Sequence, residues 1–137
     1  MNKGPIEDRL EIRELIEAFA AAVMDIDAEK WGATWAEEGS WKLPSMESAV
    51  TGRDKVMAAF KEKMEYVKCM SMISFPAEMV VDGDRATGKA YCRELIYPKT
   101  GGQLVVLGYF DDEYIKRDGR WQFLSRVYQV IGKEQHV

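Results

Sequence analysis

Apolar residues in the first part of the chain recur at helical spacing. Between Ile6 and Met24 they fall three and four positions apart, with charged residues between them. This pattern predicts an amphipathic helix with one buried face. The buried face consists of Ile12, Leu15, Ile16, Phe19 and Val23. We expect this helix to end near Asp25-Ile26-Asp27.

Two shorter elements are predicted next. Asp27 is a suitable N-cap for a helix that continues to about Glu37. Trp31 and Trp35 lie four residues apart and would form its buried ridge. Gly39 then turns the chain into a short strand from Ser40 to Leu43, and residues 44–50 form a loop.

A third helix is predicted to begin at Thr51-Gly52-Arg53-Asp54, a plausible capping sequence. Its narrow apolar face consists of Val56, Phe60 and Met64. The hydrophobic period then changes to that of a strand, from Val67 to Val81. Because Phe75-Pro76 interrupts this strand, we expect it to lie at a sheet edge or to contain a bulge.

The rest of the chain predicts an antiparallel sheet. Turn signals at Asp82-Gly83-Asp84 and Asp118-Gly119, and a loop from Pro98 to Gly102, separate three further strands. These strands are expected at Ala86–Tyr97, Gln103–Arg117 and Trp121–Ile131. Helices followed by strands indicate an α+β fold. A strongly curved sheet around the first helix would enclose a pocket for a small ligand.

Composition and charge narrow the function. The 137 residues fit one domain, and 47% hydrophobic with 31% charged residues is typical of a globular protein. The net charge of −4 and the scattered Lys and Arg residues argue against binding to nucleic acid or membranes. The N-terminus lacks the pattern of a signal peptide. Cys69 and Cys92 are too few for a disulfide framework, so we expect a reduced, cytoplasmic protein.

The chain has a single histidine, His136, one residue from its end. Catalytic sites of the Ser-His-Asp or Cys-His type and His-rich metal sites are therefore excluded. Gly101-Gly102 precedes no predicted helix, so no phosphate-binding loop is indicated either. We expect a protein without metal or cofactor, whose proton chemistry would depend on carboxylates and their neighbours.

Five segments together resemble the SnoaL-like branch of the nuclear transport factor 2-like (cystatin-like) superfamily. The resemblance extends from about Asp8 to Val130 and rests on IRELIEAFAAAVMDID, WGATWAEEGSW, VTGRDKVMAAF, VVDGDRATGKAY and YIKRDGRWQF. It implies one domain over residues 1–137 with a cone-shaped, cystatin-like fold. The superfamily includes dehydratases, dehydrochlorinases, isomerases, cyclases and non-catalytic binding proteins.

The resemblance also implies positions for a site. In the dehydratases and dehydrochlorinases of this type, an Asp at the end of the first helix orients a catalytic His on the third strand. Asp25 matches that Asp, Arg126 matches an arginine that stabilises developing negative charge, and Trp41 matches a pocket tryptophan. The histidine position falls on Ser71, and a helix-one lysine falls on Ala20. The Asp-His reaction is therefore not inherited unchanged.

Strand parity suggests a replacement for the missing histidine. Along Ala86–Ile96 the alternate residues are small or apolar except for Glu94, which predicts that their face is buried. Burial would raise the pKa of the Glu94 carboxyl towards the range useful for acid-base catalysis. The resemblance likewise places Cys92 and Glu94 on the pocket wall. Glu94 could instead be a surface residue or the partner of an arginine.

The structural roles of Arg126 and Asp25 remain alternatives to catalysis. If Asp118-Gly119 is a two-residue turn, Arg126 lies opposite Asp111 and Tyr109 lies opposite Tyr128. Arg126 would then form a cross-strand ion pair that needs no function. Asp25 could equally be an ordinary helix end.

The predicted site combines these assignments in one cavity. Its catalytic residues would be Asp25, Glu94 and Arg126, and its substrate-binding residues Trp41, Ser71, Cys92 and Phe110. Strand parity alone, in contrast, puts Phe110 on the outward face of the sheet, away from the cavity. The other aromatic residues predicted on that face are Tyr91, Tyr97, Tyr114 and Phe123. So many outward aromatic residues predict a homo-oligomer formed through the sheet.

Two functions are consistent with these patterns. The first is a cofactor-independent proton-transfer enzyme, of dehydratase, isomerase or cyclase type, acting on a small hydrophobic cyclic molecule. The second is a non-catalytic domain that binds a small ligand or a protein partner. The inward-facing Glu94 favours the first function, and the missing histidine favours the second.

Overall fold

The computed structural model describes residues 1–137. It contains three helices and six strands, in agreement with the predicted α+β class. The elements are α1 (Ile6–Asp25), α2 (Ala28–Ala33), β1 (Trp35–Lys42), β2 (Val50–Thr51), α3 (Arg53–Met64), β3 (Val67–Asp82), β4 (Arg85–Pro98), β5 (Gln103–Arg117) and β6 (Arg120–His136). None of these helices has both the length and the apolar character needed to cross a bilayer.

The six strands form one open, mixed sheet in the order β2-β1-β6-β5-β4-β3. All neighbouring strands are antiparallel except β1 and β6, which are parallel. β3 is an edge strand, and its pairing with β4 shifts between Pro76 and Glu78. The prediction from Phe75-Pro76 is therefore confirmed for both the edge position and the bulge.

Helix α1 packs its predicted apolar stripe against the sheet. Phe19 and Val23 are buried, and the ring of Phe19 contacts the aromatic residues of α2, β1, β5 and β6. The helix ends where Ile26 adopts a left-handed conformation (φ 51°). The Asp27 side chain then accepts a hydrogen bond from the Lys30 amide at 3.0 Å, which confirms the predicted N-cap of α2.

The predicted extent of the second helix is wrong, because α2 ends at Ala33 and the chain enters β1 at Trp35. The Thr34 hydroxyl donates to the carbonyl of Trp31 at 2.6 Å, and the Thr34 carbonyl accepts from the Phe123 amide of β6 at 2.9 Å. Pairing with β6 thus replaces the next helical turn. Helix α3 begins at Arg53, within the predicted capping sequence, but its N-cap is Gly52, which offers no side-chain hydrogen bond.

Bulges in the long hairpin of β5 and β6 decide which side chains face inward. The predicted pairing holds from Arg117–Arg120 to Tyr114–Phe123. Leu124 is then an extra residue on β6, so Arg126 lies opposite Asp112 and not opposite Asp111 as predicted. In the same way, Tyr128 lies opposite Phe110 and not opposite Tyr109.

The register also corrects the predicted outward aromatic face. Phe110 lies opposite Ala90 of β4, and both are buried with the rest of the inward face. Tyr114 and Phe123 are likewise in the hydrophobic core, so these three residues do not face outward. Tyr91 remains outward, where its ring lies between those of Phe75 and Tyr109 with centroid separations of 5.8 and 5.9 Å.

Candidate active site

A cavity of ≈ 410 Å³ lies between the helices and the inward face of the sheet. Its wall is mainly apolar, because 16 of the 21 lining residues are hydrophobic. Aromatic rings of Phe19, Trp31, Trp41, Phe60, Phe110 and Tyr128 contribute to it, together with Met64, Met70 and Met72. A flexible methionine wall with fixed rings can adapt to small apolar molecules.

Glu94 is the one acidic residue of this wall. It lies on β4 between Met72 of β3 and Val106 of β5, both of which are buried. No lysine or arginine nitrogen lies within the 4.0 Å that defines an ion pair with its carboxyl group. Glu94 is thus a carboxyl group without a cationic partner, half-buried in apolar surroundings.

Burial raises the pKa of the Glu94 carboxyl above its ordinary value of 4.5. The neighbouring Tyr128 hydroxyl and Cys92 thiol lower this pKa and offset the effect of burial in part. The Cys92 thiol donates to Glu94 Oε1 over a long 3.9 Å contact. Because burial also raises the pKa of Cys92 well above that of an ordinary thiol, this cysteine is a poor nucleophile.

The Tyr128 hydroxyl reaches Glu94 and Cys92 because position 108 has no side chain. Gly108 lies opposite Cys92 in the sheet, and a Cβ atom there would lie 2.6 Å from Tyr128 Oη. The hydroxyl is buried and makes no hydrogen bond of normal geometry. Its dipole nevertheless favours the ionised form of Glu94 and lowers the pKa of that carboxyl group.

Arg126 lies outside the cavity wall in a buried ion pair. Its Nε and Nη2 donate to the two carboxylate oxygens of Asp112 at 2.7 and 2.9 Å, and both side chains are at most 1% exposed. The Tyr114 hydroxyl donates to the same carboxylate at 2.7 Å. The rings of Phe19, Phe110 and Phe123 surround the guanidinium carbon at 4.5, 3.8 and 4.1 Å. This arrangement supports the interpretation that Arg126 forms a structural ion pair. Its partner is Asp112 and not Asp111 as predicted.

Some of the other predicted site residues lie at the cavity, and the rest lie elsewhere. Trp41 and Phe110 line the cavity, and Cys92 lies beside it in contact with Glu94. Asp25 is exposed and lines a separate, open groove of ≈ 740 Å³ between α1, α2 and the turn that joins β5 to β6. Ser71 lies opposite Leu95, on the face of the sheet away from Glu94. The predicted cavity combined Asp25, Glu94 and Arg126 with Trp41, Ser71 and Cys92. This prediction is therefore wrong for Asp25, Arg126 and Ser71.

Sequence reasoning missed two residues next to Glu94. Met72 lies directly opposite Glu94, at the strand position after Ser71, and a correct β3–β4 register would have identified it. Tyr128 reaches the site only because Leu124 bulges and Gly108 leaves space. No signal in the strand pattern indicates that bulge. No group of three or more His, Cys, Asp or Glu side chains suitable for a metal ion comes together.

Several solved structures share this fold over nearly their whole length. A Novosphingobium aromaticivorans protein with the provisional name aromatic ring hydroxylase has a TM-score of 0.89 at 21% identity, covering 97% of this chain and 96% of that one. A type 2 hexachlorocyclohexane dehydrochlorinase, LinA, has a TM-score of 0.87 at 13% identity, with coverages of 96% and 90%. A protein provisionally named scytalone dehydratase, also from N. aromaticivorans, has a TM-score of 0.84 at 14% identity, with coverages of 96% and 89%.

At these identities the structural likeness establishes the fold and leaves the activity open. Comparison with curated proteins gave no match. The sequence itself matches a family model, described as SnoaL-like domain, over residues 5–127. This match covers almost all of the secondary structure, from α1 to the part of β6 that carries Arg126. The chain therefore belongs to the SnoaL-like domain family.

Proposed function

We propose that this protein is a cofactor-independent proton-transfer enzyme of the lyase or isomerase type, with Glu94 as its acid-base residue. One observation carries the proposal: an unpaired carboxyl group with a raised pKa forms part of an otherwise apolar cavity wall. A carboxyl group that is partly removed from water and has no cationic partner destabilises a fold, so its presence suggests a function. The names of two structural neighbours, a dehydrochlorinase and a scytalone dehydratase, also describe elimination reactions.

The chemistry requires only proton movements at Glu94. Its carboxylate takes a proton from a carbon atom of the substrate, and the electron pair of that C–H bond forms a double bond. In a lyase the pair expels a leaving group, whereas in an isomerase Glu94 returns the proton to another carbon. The apolar wall assists because it favours the neutral carboxylic acid that the first step produces.

Tyr128 would act through Glu94 as a positioning residue. Its hydroxyl is covered, so it cannot reach a molecule in the cavity without a rearrangement. The Tyr128 hydroxyl lowers the pKa of Glu94 and so opposes the effect of burial. A base must be ionised before it reacts, and one whose pKa lies near the operating pH is the most effective.

The pH dependence of turnover tests this proposal. The probe is 5-nitrobenzisoxazole, an apolar bicyclic compound that opens to a coloured phenolate when a base removes its carbon-bound proton. Because the carboxylate is the reactive form, we expect kcat/KM to rise with pH and to level off above an apparent pKa higher than 4.5. Saturable turnover with this profile supports the proposal.

The competing function is a binding domain without catalysis, and the missing histidine is the observation that favours it. In that case the protein would bind apolar bicyclic molecules but would not accelerate ring opening beyond free carboxylate in solution. That result would contradict the enzyme proposal and leave the binding function.

We also propose that copies of the chain associate through the outward face of the sheet. Ile73, Phe75 and Leu107 are 63%, 54% and 44% exposed there, beside the rings of Tyr91 and Tyr109. Sedimentation at micromolar concentration is expected to give a multiple of the 15.7 kDa chain mass, and Ile73→Lys with Leu107→Lys is expected to give the single-chain mass. A single-chain mass for the wild type would refute this proposal.

The compartment is a further proposal. The structure contains two unpaired cysteines, Cys69 on the surface and Cys92 in the core. Unpaired thiols are usual where glutathione keeps proteins reduced, so we propose a cytoplasmic location.

A further inference from the structure

Two lysine side chains reach the cavity from different elements. Lys63 lies in the last turn of α3, and Lys133 lies near the end of β6. With Glu94 they are the charged residues of the lining. Neither lysine forms an ion pair with an acidic side chain, because all the ion pairs of the structure involve other residues.

The two lysines and Glu94 lie on different elements of the cavity wall. Lys133 is exposed and Lys63 is half-buried, so both side chains have access to solvent, and we call the end of the cavity that they line its mouth. Lys133, Val106 and Glu94 lie in one row across β6, β5 and β4. Since neighbouring strands are about 4.8 Å apart, the backbones of Lys133 and Glu94 are separated by about 10 Å. The cavity wall therefore carries its positive charges on α3 and β6 and its negative charge on β4.

A third lysine beside the mouth shows the difference between a structural lysine and a free one. Lys42 Nζ donates to the carbonyls of Leu43 and Met46 at 2.9 and 2.6 Å and holds the loop that contributes Leu43 to the wall. Lys63 Nζ has only a long contact of 3.4 Å to the Ser45 hydroxyl. The donors of Lys63 are thus largely available to a ligand.

We propose that the cavity selects amphipathic carboxylates, with the apolar ring system inside and the carboxylate group between Lys63 and Lys133 at the mouth. This inference rests on the proposed function only for the role of Glu94, since binding itself needs the cavity and the lysines. A ligand carboxylate gains two cationic partners, whereas a neutral molecule of the same shape gains only apolar contact. The reacting carbon of such a substrate would belong to its apolar ring system and would lie next to Glu94.

A matched pair of ligands tests this selectivity. The probes are 2-naphthoate and 2-naphthamide, which share one ring system and differ in charge. Binding is followed by the fluorescence of Trp31 and Trp41, whose rings form part of the wall. We expect the wild type to bind naphthoate about tenfold more tightly than naphthamide, and we expect added salt to reduce this preference.

Lysine variants show whether the preference arises at the mouth. Lys63→Met and Lys133→Met keep the apolar stem and remove the charge. Each is expected to weaken naphthoate binding about threefold, and the double variant about tenfold, with naphthamide binding unchanged. Lys61→Met is the matched control, because Lys61 is an exposed lysine on the same helix outside the lining.

Several results would overturn the proposal. These are equal affinity of the wild type for both probes, an equal loss of both probes in the double variant, an effect of Lys61→Met as large as that of Lys63→Met, or no binding of either probe. The outcome is separate from that of the enzyme proposal. Charge-selective binding without ring opening of 5-nitrobenzisoxazole would support this inference and refute catalysis, whereas ring opening without charge selectivity would do the reverse.

Discussion

Replacing Asp112 by asparagine is expected to lower the free energy of unfolding by about 3–5 kcal/mol. The substitution removes the negative charge and leaves the guanidinium of Arg126 in the core. That group is 1% exposed and surrounded by three phenylalanine rings, so water cannot replace the lost partner. Urea denaturation monitored by tryptophan fluorescence measures the change.

Asp111→Asn is the matched control, because Asp111 is an exposed neighbour on the same strand. We expect this variant to change the free energy of unfolding by at most about 0.5 kcal/mol. The comparison also tests the register, since a hairpin without the Leu124 bulge would pair Arg126 with Asp111. A larger loss for Asp111→Asn than for Asp112→Asn would refute the register of the structure.

The double substitution Asp112→Leu with Arg126→Met is expected to recover most of the stability that Asp112→Asn loses. Replacement of a buried ion pair by apolar side chains of similar volume is often neutral, whereas removal of one partner is not. Recovery of stability would show that the Asp112–Arg126 ion pair has a structural role that apolar side chains can fill. A double variant as unstable as Asp112→Asn would indicate that the core needs the shape or hydrogen bonds of the original residues.

Glu94→Gln is expected to reduce kcat/KM for 5-nitrobenzisoxazole by about 10²–10⁴-fold. Glutamine has nearly the same shape as glutamate, but its amide cannot accept the proton at neutral pH. Asp25→Asn is the control for the family-derived assignment and is expected to keep wild-type activity, because Asp25 lies outside the cavity. A large loss in Asp25→Asn with little change in Glu94→Gln would reverse the assignment.

Stability measurements distinguish lost catalysis from lost folding in Glu94→Gln. The pKa of Glu94 is higher in the folded protein than in the unfolded chain, so the folded state binds its proton more readily. Between the two pKa values, the free energy of unfolding therefore falls as pH rises. Because Glu94→Gln cannot lose a proton, its stability relative to the wild type is expected to increase with pH above about 4.5.

The sequence predicted elements whose signals are local. The apolar stripe of α1, the Asp27 cap and the Asp118-Gly119 turn each depend on residues close together in the chain, and each appears in the structure. Phe75-Pro76 predicted an edge strand because proline lacks the amide that a central ladder needs. The inward position of Glu94 followed from strand parity and from small neighbours such as Ala90.

What the sequence did not predict depends on register between distant strands. One extra residue at Leu124 turns Arg126 and Tyr128 inward, and nothing in the local pattern distinguishes a bulged leucine from a regular one. The family resemblance placed Asp25 in the pocket, but α1 ends with this side chain exposed. The prediction for Ser71 depends on register in the same way. Its neighbour Met72 faces the cavity, and a shift of one residue along β3 would exchange the two faces of the strand.

Hydrogen-deuterium exchange at carbon tests the central claim most directly, because it detects proton transfer without requiring a leaving group. The substrate is 2-tetralone, an apolar bicyclic ketone with acidic C–H bonds beside its carbonyl group, and exchange in D2O is followed by NMR. We expect the wild type to accelerate deuterium incorporation at these carbons and Glu94→Gln to lose the acceleration. Equal exchange rates for the wild type and Glu94→Gln, with 2-tetralone bound by both, would contradict the assignment of Glu94 as the base.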